Sequence, residues 1–81
     1  MWIRSYDGEL LLNTDTVEEF IVEKEKKNLY CIKAVVNRGY CLLQRHMTYN
    51  AAMELLSRIH CAILDGVVCL PLSPNFTLNA N

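Results

Sequence analysis

From Thr48 to Asp65 the apolar residues recur with the period of a helix. At about 100° per residue, Ala52, Leu55, Leu56, Ile59, Ala62 and Ile63 fall within a sector roughly 120° wide, the stripe that an amphipathic helix lays on a core. Asn50, Glu54, Ser57, Arg58, Cys61 and Asp65 lie opposite, with Glu54 four residues before Arg58. Thr48 can accept from the free backbone donors of the first turn, and Gly66 supplies the left-handed residue that commonly ends a helix. Ala51 stands where a reciprocal capping box wants Glu or Gln, and Asp65 brings negative charge to the negative end of the dipole, so the last turn is expected to fray. Tyr49, Met53, His60 and Leu64 form a second shoulder. With Ala51 they widen the apolar arc to about 220°, more than one flat sheet covers.

Upstream the period shortens to two. Residues 2–5 and 9–13 are apolar-rich runs joined through Asp7-Gly8, a strong hairpin signal, and Asn13 to Thr16 is rich in turn formers. Val17 to Glu25 reads as a strand whose inward face is ambiguous. Phe20 and Val22 point one way and Val17 and Ile21 the other, unless a bulge shifts the phase. After the polar turn Glu25 to Asn28, Tyr30, Ile32, Ala34 and Val36 alternate against Cys31 and Lys33. Asn37-Arg38-Gly39 then offers a residue able to take positive φ before a strand from Tyr40 to Arg45. Turns this short make neighbours antiparallel, because a parallel pair needs a long crossover. The pattern predicts an α+β fold: an antiparallel four- or five-stranded meander with one C-terminal helix packed on one face, in a single domain over residues 1–66. Residues 67–81 read as a tail. Val67 to Leu72 is apolar and β-favouring, and Pro71 restricts it to an edge strand or a partner-contacting arm. Ser73 to Asn81 is polar apart from Phe76 and Leu78 and is expected to be loosely ordered.

The opening Met1-Trp2-Ile3-Arg4-Ser5, followed by Asp7-Gly8, the strand end at Leu12 and Asn13 and a terminal helix carrying Ala52, Leu55, Leu56 and Ile59, resembles a group of small uncharacterised bacterial proteins. Such proteins often sit in mobile or phage-derived regions. The resemblance covers roughly residues 1–66 and is carried mostly by the first eight; it implies no known activity. The four cysteines and the apolar tail depart from the group, so association through the tail is not implied by it.

Composition narrows the partners. With 8 basic and 9 acidic residues among 81, the formal net charge of -1 provides no basic field for nucleic acid. At 52% hydrophobic and 21% charged the chain reads as globular, and no apolar run approaches the roughly 18 to 20 residues that span a bilayer. No membrane contact is expected. The N-terminus carries neither a long apolar core nor a small-residue cleavage site, so a cytoplasmic location is expected, with Cys31, Cys41, Cys61 and Cys69 as free thiols.

Candidate chemistry is sparse. The cysteines are spaced too widely for a zinc site, and His60 points about 100° away from Cys61 on the helix, so neither metal nor cofactor is expected. Cys61, on the polar face between Arg58 and His60, lacks an evident base, and Glu18, Glu19 and Glu23 read as a solvated strand. No catalytic residue is assigned, and the chain is expected not to be an enzyme. What remains is a small protein-interaction module that self-associates, as a dimer or with an unidentified protein partner. Its surface is formed by Tyr49, Met53, His60 and Leu64 with Val67, Val68, Leu70 and Leu72. The alternative is a nucleic-acid-binding accessory or regulatory protein using Arg4, Lys33, Arg38 and Arg45 with Tyr30 and Tyr40.

Overall fold

The computed structural model describes residues 1–72. They form an α+β fold in which strands precede one helix: β1 (Trp2–Arg4), β2 (Leu11–Asn13), a 3-10 turn (Thr14–Thr16), β3 (Val17–Lys26), β4 (Leu29–Val36), β5 (Gly39–Met47), α1 (Tyr49–Leu64) and β6 (Cys69–Pro71). The meander is β3-β4-β5, antiparallel throughout, and α1 packs on it. The opening hairpin does not extend this meander into a fourth and fifth strand. β1 and β2 belong to a second three-stranded sheet, ordered β2-β1-β6, in which β6 runs parallel to β1. The whole intervening chain serves as the crossover that short turns alone cannot provide. Residues 67–72 are therefore built into the fold and do not trail from it. Pro71 sits on an edge strand, and Leu72 donates its backbone N–H to the Arg4 carbonyl at 3.0 Å. The expectation of loose order over Ser73 to Asn81 lies outside the described residues.

Local chemistry explains each turn. At Asp7-Gly8 the Ser5 hydroxyl donates to the Asp7 carboxylate at 2.6 Å and accepts from the Leu10 N–H at 3.0 Å, while Gly8 takes φ 77°. Between β3 and β4 the turn falls on Lys27-Asn28, with Asn28 at φ 63°. Between β4 and β5 the positive φ falls on Asn37, at 27°, and Gly39 instead begins the strand. Asparagine tolerates this region because its short polar side chain can bond locally.

A bulge settles the ambiguous face of β3. Val17 lies opposite Val36 and Phe20 opposite Ala34, with a register shift between Val17 and Glu19, so one extra residue brings Val17 into phase with Phe20 and Val22. All three pack against the core, while Ile21 lies opposite Lys33 on the outer face. The core joins both sheets and the helix through Ile3, Leu12, Ile32, Ala34, Leu43, Met47, Ala52, Leu55, Ile59 and Leu72.

The helix begins and ends as its capping residues direct. The Thr48 hydroxyl accepts from the Ala51 N–H at 3.1 Å. At the other end Gly66, at φ 71°, donates to Ile63 at 3.2 Å, and Val67 donates to Ala62 at 3.0 Å. These are the two hydrogen bonds of a Schellman motif. The last turn is thus closed rather than frayed, because the carbonyls that would be left open find partners despite the charge of Asp65. The helix is also rotated relative to its apolar sector. Ala52, Leu55, Ile59 and Ala62 are buried, Leu56 is half-buried, and Ile63 stays exposed.

Candidate interaction surface

The buried residues of α1 occupy an arc centred between Ile59 and Leu55, so the shoulder residues face sideways, past the sheet. Tyr49 is half in water, with its ring edge-on to Tyr30 at 5.2 Å and 68°. Met53 and His60 are exposed, and Leu64 is 72% exposed. Beyond the helix Val67 is exposed, and Val68 reaches 78% although its carbonyl accepts from the Trp2 N–H at 2.8 Å. Leu70 and Leu72 do not share this surface. Leu70 is half-buried against the core, and Leu72, at 7% exposed, is part of it, because the pairing of β6 with β1 turns both inward.

Three residues not assigned to the shoulder join it. Ile63, at 42% exposed, and Leu56 continue the apolar flank, and Phe20 on β3 faces them across an open groove of about 340 Å³ also lined by Ser57, Ile59 and His60. Periodicity does not reveal this groove. The helix pattern places Ile63 within the stripe, and the true boundary depends on how far α1 is rotated over β3.

The opposite face of the meander has a different character. Lys33 donates to Glu23 at 2.9 Å, and its Nζ stands 4.2 Å from the centre of the Tyr40 ring. Arg45 donates twice to one Glu25 oxygen, at 3.0 and 2.8 Å, and the other oxygen accepts from the His46 N–H at 3.2 Å. Burial pushes the Glu25 carboxyl up, but the hydrogen bonds from Arg45 and His46 and their positive charges outweigh it, so its pKa lies below the ordinary value. The hydrogen bond from Lys33 to Glu23 raises the pKa of the ammonium. Beneath these pairs, beside Leu42, the Cys31 thiol is 1% exposed, and burial followed by the charge of Glu25 raises its pKa. Cys41 is half-buried, and Cys61 and Cys69 are exposed.

The six residues considered for nucleic acid do not form one surface. Lys33, Tyr40 and Arg45 share the outer face, where both cations are paired with carboxylates. Tyr30 instead packs against Tyr49, Arg4 lies in the other sheet, and Arg38 lies in the β4-β5 turn. Among the described residues no three His, Cys, Asp or Glu side chains are grouped to hold a metal, and no helix is long and apolar enough to cross a membrane. Compared with known protein families, curated proteins and solved structures, the chain matches none.

Proposed function

We propose that this chain is a non-enzymatic protein-interaction module that associates with itself, as a dimer, through the flank of α1 and the residues just after it. The observation that carries the reading is the continuity of exposed apolar side chains along one side of the helix. Tyr49, Met53, Ile63 and Leu64 lead on to Val67 and Val68, beside a groove whose floor is also apolar. Fully burying a large aliphatic side chain is worth about 1.5 to 3 kcal/mol, so covering this flank is a substantial driving force. The outer face of the meander offers less, because its cations are already neutralised by Glu23 and Glu25.

Ending the chain at Gly66 is not a clean test, since it removes β6 and Leu72 from the fold. Sedimentation velocity on the full chain from low to high micromolar concentration, beside Leu64→Glu, tests the reading directly. The wild type should dimerise with concentration while the variant stays monomeric with an unchanged far-ultraviolet spectrum. A wild type that is monomeric throughout the range refutes it.

A further inference from the structure

We infer that two copies pair through their α1 helices, antiparallel, across a two-fold axis passing beside Leu56 and Ser57. The inference rests on the self-association reading above and adds the register of the contact. Tyr49, Met53, Leu56, His60 and Ile63 follow one another at intervals of four, three, four and three residues, the spacing of the seam by which one helix packs on another. The first stripe of α1, Ala52 to Ala62, is occupied by its own core; along the second seam Leu56 is half-buried and Tyr49 meets the edge of Tyr30, while Met53, His60 and Ile63 are exposed. Two pairs on this flank are also placed symmetrically, while the counterpart of Ile63 is the polar Asn50. Tyr49 and Leu64 are equally far from the point between Leu56 and Ser57, and so are Met53 and His60. In a two-fold contact each residue meets its counterpart reciprocally, so Tyr49 packs on the partner's Leu64 and Met53 on the partner's His60. Near the axis the small Ser57 lets the helices approach closely.

Direction follows from the same residues. A parallel pair would set Tyr49 on Tyr49 and Leu64 on Leu64, whereas the antiparallel pair matches a large side chain with a smaller one. α1 has no acidic residue in its first turn and no basic residue in its last, so its dipole is not offset by its own side chains; an antiparallel neighbour places opposite ends together. The size fits. From their exposures, Tyr49, Met53, Ile63, Leu64, Val67 and Val68 leave on the order of 600 Å² open, against about 800 Å² that each partner contributes to a standard interface. Exposed polar neighbours such as Asn50 and Glu54 can supply the rim.

A charge exchange tests the register. Met53 and His60 are both exposed, and they lie two helical turns apart, too far for an ion pair within one helix. Dissociation constants are measured by sedimentation equilibrium for the wild type, Met53→Glu, His60→Lys and the double variant, with thermal melts as a check on folding. Met53→Glu should weaken the dimer at least tenfold, and His60→Lys should weaken it less. The double variant should return to within a few-fold of wild type, since the new carboxylate of each copy meets the new ammonium of the other, and this recovery should fade with added salt. A double variant weaker than either single variant, with the wild type still dimeric, overturns the register and leaves self-association standing. A monomeric wild type overturns both.

Discussion

Replacing Ile59 by alanine tests whether the rotation of α1 described above is real. Ile59 is almost fully buried, while Ile63, one turn later and within the same apolar sector, keeps 42% of its surface in water. Ile→Ala removes three carbons at about 0.8 kcal/mol each, and a cavity contribution is added wherever the surrounding walls cannot close. At Ile59 one wall borders the open groove beside His60 and Leu56, so partial collapse holds the cost to about 3 kcal/mol. At Ile63 roughly half the transfer contribution is already absent, leaving about 1 kcal/mol. A chain of this length has about 4 to 12 kcal/mol of total stability, so Ile59→Ala removes a large share and should lower the melting temperature by about 12 to 24 °C. Urea unfolding followed by circular dichroism supplies the comparison, and an unchanged slope would show that the denatured reference is the same. All variants should be held at one low concentration, because association stabilises the folded state by mass action. If Ile63→Ala proves as costly as Ile59→Ala, the packed face of α1 has been misplaced.

Two further outcomes concern the outer face of the meander. Glu25 has a folded-state pKa below its ordinary value of 4.5, so its contribution is complete above that value and is lost as pH falls through the folded pKa. Glu25→Gln should therefore melt a few degrees below wild type at pH 7 and converge with it in acid, whereas a difference independent of pH would exclude the ionised pair as its source. In thiol titration with an aromatic disulfide, Cys61 and Cys69 should react first, Cys41 more slowly, and Cys31 only on unfolding. Four fast thiols in the native protein would show that the ion pairs over Cys31 do not shield it.

What was legible in the sequence was whatever neighbouring residues decide among themselves. Asp7-Gly8 marks its loop, Thr48 and Gly66 mark the helix, and the alternation from Tyr30 to Val36 marks a strand because each signal acts over a few residues. What stayed open or was misread depends on distant partners. β6 is only three residues long and acquires its place from β1, so neither its parallel direction nor the burial of Leu72 is written in Val67 to Leu72. The phase of Val17 depends on a bulge made against β4. Cys31 is covered by carboxylates and cations brought together across three strands, and its own flanking residues predict only alternation. For the candidate surface, Tyr49, Met53, His60 and Leu64 were readable from the helical wheel. The groove against Phe20 was not, because it depends on how two elements dock.

The seam between β1 and β6 also sets an order of events in time. It joins Trp2 to Cys69, so β1 waits for β6 to leave the ribosome before its sheet is complete. The β3-β4-β5 meander needs only nearby contacts and can assemble early, whereas β1 must be held in reserve until Leu72 has emerged to enter the core. Closing so long a loop adds little free energy beyond closing one half its length, so the penalty is delay rather than instability. A nascent chain halted before β6 keeps an open β1 edge and an unfilled core, the kind of exposed surface that chaperones engage, until β6 is added.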